Sequence, residues 1–193
     1  TTSTTIPQSY VKMFINLRTL RVEHSDLKHV TSDLMQNLGN ITNLYLGKNR
    51  INVIDHDAFD SLYNLTNLYL NGNKISHLDE LTFFKLHNIQ MIMLDDNHLT
   101  TLSRKIFSKN LKLISIYVAN NKITTIDSSF FDHPSVKNYD LSNNKCINMK
   151  TGWYNKQDLK LHTENCCQGH NHKKCVSSNE DNSISSHLYN NHV

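Results

Sequence analysis

The chain has 193 residues, of which 38% are hydrophobic and 19% are charged, and its formal net charge is +3. This is the composition of a globular domain with a sizeable core. The net charge is too small to argue for a nucleic-acid partner, and the chain has no arginine-rich tract. No apolar run approaches the roughly 20 residues of a membrane-spanning helix. The chain starts at Thr1 without a signal peptide, which we interpret as a processed or trimmed product.

Residues 1–16 match the second half of a unit that recurs along the chain. In the register of that unit, Ile6 corresponds to Val30 and Phe14 corresponds to Leu38. We therefore predict that residues 1–16 are the second half of a truncated repeat, without its strand. Because solenoids need capped ends to cover their cores, we expect a further strand and a cap upstream, or a partner that covers this end.

Residues 17–145 form about six repeats. Each repeat follows the pattern apolar-x-x-apolar-x-apolar-x-x-Asn-x-apolar; the first five begin at a constant 24-residue spacing, and the sixth begins one residue early. The first positions are Leu17, Ile41, Leu65, Ile89, Leu113 and Val136. This pattern is the leucine-rich-repeat signature. It predicts an α/β-type solenoid, a horseshoe with a parallel concave β-sheet and an irregular convex side.

Two further columns of the repeat have structural roles. One column places Asn after each strand, where the amide can bond backbone groups of the neighbouring turn. It contains Ser25, Asn49, Asn73, Asn97, Asn121 and Asn144, of which only Ser25 departs from Asn. A second column of large side chains should stack as an aromatic spine under the convex side. It contains Met35, Phe59, Phe83, Phe107 and Phe131.

The central exposed position of each strand predicts a stripe of side chains on the concave face. Neighbouring strands lie about 4.8 Å apart, so these side chains should be continuous. The stripe contains Arg21, Tyr45, Tyr69, Met93, Tyr117 and Asp140, and Asp95 flanks it. One interpretation is that Tyr simply favours strands. The other is a protein-binding ladder, because Tyr is enriched at interface hot spots and opposite charges at the two ends would orient a partner.

Three other polar patterns could mark functional sites, but each can also be explained as ordinary exposed or structural residues of the repeat. The cluster DDNH at 95–98 is not a catalytic or metal site, because Asn97 belongs to the Asn column and alternate residues point to different faces. A basic column indicates either a sulfated-glycan site or an exposed edge. It contains Arg50, Lys74, His98, Lys122 and Lys145. Two glycosylation sequons begin at Asn40 and Asn64, and we expect at least one to be modified if the chain is secreted.

Residues 146–175 are predicted to form a cysteine-containing carboxy-terminal cap. Cys146 occupies a core position of the repeat, and Trp153 together with residues 155–162 should lie over the last repeat. The expected disulfide joins Cys146 to Cys166 or Cys167. Closing a loop of this length should stabilise the folded chain by about 3 kcal/mol. The remaining cysteine would pair with Cys175 or with a second chain, which would make a disulfide-linked dimer.

The rival interpretation of this region is a zinc site. Three cysteines lie close to His170 and His172, but no second C-x2-C pair is present. We therefore favour disulfides and expect neither a metal nor a cofactor. Residues 176–193 are polar, with few apolar residues, and are predicted to be a flexible tail.

From Leu17 to Cys167 the chain resembles secreted leucine-rich-repeat proteins of insects. Its ending, with Asn144, Cys146 and the Cys166–Cys167 pair, is similar to the cap of the mosquito leucine-rich-repeat immune proteins. The repeats themselves are also similar to those of Toll-like receptors and adhesion proteins. The resemblance implies an extracellular protein that acts in innate immunity and binds thioester-type complement-like proteins, or other repeat proteins, often as a disulfide-linked dimer. The coiled coil of the long family members is not predicted here, because no apolar heptads follow Cys175.

The sequence thus predicts a secreted binding module without enzymatic activity. Motifs of common enzymes are absent, since the chain has no G-x-S-x-G elbow, phosphate loop or H-E-x-x-H. The function that we expect is innate-immune recognition or complement-like regulation through the concave face. The alternative is a fragment of a cell-adhesion protein or receptor ectodomain, whose mark would be a membrane span or lipid anchor after Val193.

Overall fold

A computed structural model describes residues 16–167, except for the side chains at 165 and 166. Almost all of the predicted truncated repeat, part of the predicted cap and the predicted tail lie outside this range. The domain boundaries proposed above, at residues 16, 145 and 175, therefore stay predictions.

A parallel sheet of six strands runs through the described repeats. In spatial order its strands are β1 (Thr19–Arg21), β3 (Asn43–Tyr45), β5 (Asn67–Tyr69), β6 (Met91–Met93), β8 (Ser115–Tyr117) and β10 (Asn138–Asp140). The middle residues of the inner strands pair in register and are buried, as Leu44 with Leu68 and Ile92 with Ile116 show. The constant repeat spacing places equivalent residues side by side, so each repeat adds one strand. The predicted solenoid with a parallel sheet is confirmed.

The opposite side of the solenoid is made of short and irregular elements. Two small parallel sheets pair β2 (His29–Val30) with β4 (Val53–Ile54) and β7 (Thr101–Leu102) with β9 (Thr125–Ile126). This side also contains the short helix α1 (Ser32–Met35) and two 3-10 helices, Arg104–Phe107 and Ser128–Asp132. These elements turn the chain back toward the next strand of the large sheet, so the convex side is irregular as predicted.

The Asn column forms a buried ladder between repeats. The Asn73 side chain accepts the backbone N–H of Ile51 at 3.0 Å and donates to the carbonyls of Leu46 and Leu70 at 3.0 and 2.9 Å. Asn49, Asn97, Asn121 and Asn144 bond in the same way. Each amide therefore joins two consecutive turns and satisfies backbone groups that would otherwise be buried without partners.

The aromatic spine follows the prediction for three repeats and then changes. Phe59, Phe83 and Phe107 stack with ring centroids 6.1 and 5.6 Å apart. Phe107 then meets Phe130 edge-on at 6.0 Å, and not the expected Phe131. Phe131 packs on Phe130 and on the ring of Tyr139. Phe130 occupies the column position that holds smaller side chains earlier, and the next repeat begins one residue early, so the two rings share the end of the spine.

The carboxy-terminal edge of the sheet is covered by the chain that follows it. The backbone of Thr151 donates to Tyr139 at 2.9 Å, and that of Leu141 donates to Met149 at 2.9 Å. Helix α2 (Lys156–Cys166) then begins with a capping box between Asn155 and Asp158. The backbone contacts occupy the edge of β10, which would otherwise present unpaired groups.

Helix α2 is held against the last repeat by its buried face and by one disulfide. Leu159 and Thr163 are fully buried, and Cys167 bonds to Cys146 with their Cα atoms 5.3 Å apart. This is one of the two pairings that the sequence favoured, and it confirms the disulfide-bonded cap. The expectation that Trp153 lies over the last repeat is wrong: its side chain is exposed, at 71%, and the Lys150 ammonium lies 4.1 Å from its ring. Leu159 fills that role from the helix.

Candidate functional site on the concave face

The concave face carries the predicted stripe on neighbouring strands. Strand pairing sets Arg21 beside Tyr45, Tyr45 beside Tyr69, and Met93 beside Tyr117. Asp140 follows Tyr117 on the last strand. Arg21 is exposed and the other members are half-buried, so their side chains stand on the open face while their neighbours in the strands face the core.

The amino-terminal half of the stripe is aromatic and cationic. The Arg21 guanidinium lies 3.9 Å from the centre of the Tyr45 ring, which stacks on Tyr69 with centroids 4.1 Å apart and planes 6° from parallel. Arg21 also pairs with Glu23 at 2.5 Å. Burial, and then the hydrogen bond and charge of Tyr45, raise the pKa of Tyr69, while Arg21 acts in the opposite direction. This half is therefore a surface of one guanidinium and two rings stacked on one another.

An amide row runs beside this aromatic half. The Asn67 side chain donates to the Asn43 side-chain oxygen at 2.8 Å, and both amides also donate to the hydroxyl of the preceding Thr. Such a row offers hydrogen-bonding groups next to the Tyr rings. It therefore extends the polar surface of this face beyond the stripe itself.

The carboxy-terminal half of the stripe is acidic. Asp95 accepts the backbone N–H of Ala119 at 2.8 Å, and Asp140 accepts the backbone N–H of Ser142 at 3.0 Å. Burial raises the pKa of Asp95 to about 6; Asp140 and Asp96 also raise it, and the Ala119 N–H opposes them. Both carboxylates are half-buried: Asp95 lies against Ala119, two residues after Tyr117, and Asp140 lies beside Tyr117 on the next strand. Met93 lies beside Tyr117 on the strand before it.

The other residues singled out from the sequence lie away from this stripe. Arg50 of the basic column is exposed and pairs with Asp26 at 3.2 Å, and the other members of that column are exposed. At the sequons, Asn40 is exposed, whereas the Asn64 amide is half-buried and donates to the carbonyl of Gly39 at 3.0 Å. Of the cysteines, Cys175 lies outside the described residues, as do the histidines of the zinc interpretation.

Within residues 16–167 there is no group of three His, Cys, Asp or Glu side chains that could hold a metal ion. The same part of the chain contains no helix with the length and apolar character needed to cross a bilayer.

One feature of the convex side had no signal in the sequence. A cavity of about 300 Å³ opens between the two 3-10 helices, over the rings of Phe107 and Phe130 and beside His133. It lies where the aromatic spine changes from stacked to edge-on rings. The repeat pattern predicted an uninterrupted spine there and gave no indication of a cavity.

The parallel sheet, the Asn ladder and the repeat period together define a leucine-rich-repeat protein. The family model for the leucine rich repeat matches residues 15–75, 39–99 and 87–146, and the chain belongs to this family. No curated protein sequence matches the chain.

Several solved structures share its fold. The structure of the Toll–Spatzle complex from Drosophila has 30% identity and a TM-score of 0.63 over 67% of this chain and 17% of that one. The APL1 leucine-rich repeat domain has 25% identity and a TM-score of 0.65, over 70% of this chain and 36% of that one. TLR13 in complex with ssRNA13 has 27% identity and a TM-score of 0.62, over 68% and 19%. The matched segments therefore span about a third or less of the length of these proteins.

Proposed function

We propose that this chain is an extracellular, non-enzymatic module that binds a protein through its concave face. The observation that carries the proposal is the continuous stripe from Arg21 to Asp140, in which two Tyr rings stack and charges of opposite sign stand at the two ends. Stacked Tyr side chains supply contact area at a low entropy cost, and the end charges favour one orientation of the partner. The proposed binding residues are Arg21, Tyr45, Tyr69, Met93, Tyr117, Asp140 and Asp95.

The proposed role is innate-immune recognition or complement-like regulation, in a secreted protein related to the mosquito leucine-rich-repeat immune family. The similarity to APL1 and to Toll, and a disulfide in the cap, support this role and an extracellular location. The partner would be a thioester-type complement-like protein or another repeat protein. TLR13 is solved with RNA, but the carboxylates of Asp95 and Asp140 would repel phosphates here.

The stripe can be tested by measuring binding to two purified probes, a thioester-type complement-like protein and a second leucine-rich-repeat chain. We expect the wild-type chain to bind one of them and Tyr45→Ala/Tyr69→Ala/Tyr117→Ala to lose at least about 100-fold in affinity, as hot-spot truncations do. The control is Tyr63→Ala, because Tyr63 is an exposed Tyr outside the stripe. Equal affinities of the wild type and the triple variant would show that the binding site is not the stripe. Binding of the wild type to neither probe would contradict the proposed partners.

The dimer proposal concerns the cysteines other than the described pair. Without reduction, the intact mass of the secreted chain should be that of a covalent dimer, and with reduction it should be that of a monomer. The dimer should also be absent in Cys166→Ser/Cys175→Ser. A monomeric mass in both conditions would contradict a disulfide-linked dimer. The same measurement, before and after glycosidase, tests the proposed glycans at Asn40 and Asn64.

A receptor or adhesion ectodomain is the second candidate function. It is favoured by the similarity to Toll and TLR13, whose chains are several times longer than the matched segment. Sequencing the full transcript decides between the two candidates. A membrane span or a lipid-anchor signal after Val193 would support the ectodomain, and a stop codon without either would support the secreted module.

A further inference from the structure

The first two strands of the sheet show how this repeat holds a guanidinium. Arg21 on β1 lies over the ring of Tyr45 on β3 at 3.9 Å and pairs with Glu23, two residues further along its own repeat. The ring face and the carboxylate act on the same cation, because the face of an aromatic ring carries negative potential. The chain thus contains one complete example of an Arg held by a Tyr and a carboxylate across two neighbouring strands.

The same arrangement recurs three repeats later with one change. Met93, Asp95 and Tyr117 each stand three full periods after their counterparts Arg21, Glu23 and Tyr45. Strand pairing is also the same, since Met93 lies beside Tyr117 as Arg21 lies beside Tyr45. The carboxylate and the ring are therefore repeated, but a neutral thioether replaces the guanidinium.

The residues around Tyr117 also include more carboxylates than those around Tyr45, because the positions of Asp96 and Asp140 hold His24 and Tyr69 there. Asp140, on the strand after Tyr117, adds a second carboxylate, and Asp96 follows Asp95. None of these three carboxylates forms an ion pair with a Lys, Arg or His of residues 16–167. Lys150 pairs with Asp140 through the backbone, but its ammonium lies over the Trp153 ring. Within the described part of the chain, the carboxylates around Tyr117 therefore have no salt-bridge partner.

We propose that Asp95, Tyr117 and Asp140 bind the guanidinium of an arginine side chain on the protein partner. This proposal rests on the proposed function, because it assumes that the partner docks on the concave face. Arg is favoured over Lys since its planar group can stack on a ring while it donates to carboxylates on both sides. Burial is the main cause of the raised pKa of Asp95, and the charges of Asp140 and Asp96 raise it further.

A small probe tests the site without any knowledge of the partner. Nα-acetyl-L-arginine N-methylamide would be titrated into the full chain while the backbone amide of Ala119, which donates to Asp95, is followed by NMR. The matched neutral probe is Nα-acetyl-L-citrulline N-methylamide, which has nearly the same shape without the charge. We expect saturable shifts of the Ala119 amide and of the Tyr117 ring with the arginine probe only. Equal shifts with both probes would overturn the proposal.

Variants locate the site on the concave face. We expect Asp95→Asn and Asp140→Asn each to weaken binding of the arginine probe by about tenfold, since each removes one charge-assisted contact. In the first variant the amide oxygen of the new side chain can still accept the Ala119 N–H, so the local fold is kept. Glu23→Gln is the matched control at the equivalent position of the first repeat, and it should leave probe affinity unchanged. Undiminished binding to Asp95→Asn would overturn the proposal, as would an equal loss in Glu23→Gln.

A third variant supplies the guanidinium from within the chain. Met93→Arg should reproduce the contact that Arg21 makes, so it should abolish the probe shifts and lower the pKa of Asp95, measured from its carboxyl carbon resonance. Unchanged probe affinity in Met93→Arg would place the site elsewhere. A lysine analogue of the probe that binds more tightly than the arginine one would show that the preference for a guanidinium is wrong.

These outcomes are separate from those of the proposed function. If the arginine probe fails to bind but the triple Tyr variant still loses its protein partner, the concave face binds without an arginine contact. If the probe binds as expected but the Tyr substitutions leave partner affinity unchanged, the cation site is present but the partner docks on another surface.

Discussion

At the scale of single residues, the Asn column shows how a polar group can hold a core together. The buried amide of Asn73 makes four hydrogen bonds to backbone groups of two consecutive turns. A buried polar group without a partner costs about 1–3 kcal/mol, so the amide stabilises the fold mainly by preventing that cost. Asn49 accepts the backbone N–H of Leu27 in the same way and also that of Ser25, the one position where the column lacks Asn.

We therefore predict a large effect of Asn73→Ala on stability. The substitution leaves the N–H of Ile51 and two carbonyls without the amide in the core, and it should lower the free energy of unfolding by about 3 kcal/mol or more. Urea denaturation followed by circular dichroism measures this change. Asn71→Ala in the same repeat is the control, because Asn71 is half-buried beside the open face, and it should change stability by less than about 0.5 kcal/mol.

Asp95 gives a second prediction at this scale, in which pH is the variable. Its pKa is about 6 in the folded chain against an ordinary value of 3.8, so between these values the folded state holds a proton that the unfolded state has lost. The contribution of Asp95 to stability is therefore most favourable below about pH 4, falls as the pH rises to about 6, and is constant above that.

Asp95→Asn should remove this dependence. The difference in melting temperature between variant and wild type should grow from about pH 4 to about pH 6 in favour of the variant and then stay level, because Asn carries no charge and can still accept the Ala119 N–H. Melting curves at half-unit steps across this range and above it measure the difference. A difference that is the same at every pH would show that Asp95 does not titrate in this range.

At the scale of elements, the aromatic spine connects repeats that the sheet alone would hold on one side only. Phe83 is fully buried and stacks on Phe59 and on Phe107. We expect Phe83→Ala to cost about 3–5 kcal/mol, because the cavity would lie between three repeats. Its neighbour Phe84 is only half-buried, so Phe84→Ala should cost far less, and similar denaturation midpoints for the two variants would contradict the role of the spine.

How far the sequence predicts each element depends on whether the period determines it. The strands, their register and the positions of the stripe follow from the constant repeat spacing, since equivalent residues become neighbours. The period does not determine side-chain rotamers, so the stacking of Arg21 on Tyr45 was not predictable from the pattern. The period also carries no information where the repeat pattern changes or ends. The positions predicted there for Phe131 and Trp153 were wrong, and Cys166 and Cys167 remained equal candidates for the disulfide with Cys146.

At the scale of the whole molecule, the solenoid is held by contacts between neighbouring repeats. Such proteins have stabilities that are roughly sums over repeats and interfaces, so an end can open while the middle stays folded. The cap protects the carboxy-terminal end by covering β10 with backbone hydrogen bonds and by fixing α2 through the Cys146–Cys167 bridge. The bridge should therefore matter most at this end of the sheet.

We predict that Cys146→Ala/Cys167→Ala exposes this end without unfolding the rest. The bridge closes a loop with a sequence separation of 21, and its loss should reduce local stability by about 3 kcal/mol. Hydrogen exchange should become faster at the amides of α2 and β10, while β3 and β5 keep their protection. Cys166→Ser/Cys175→Ser, which retains the bridge, is the control and should exchange like the wild type. Faster exchange across all six strands in the first variant would mean that the repeats unfold as one unit, since no end could then open alone.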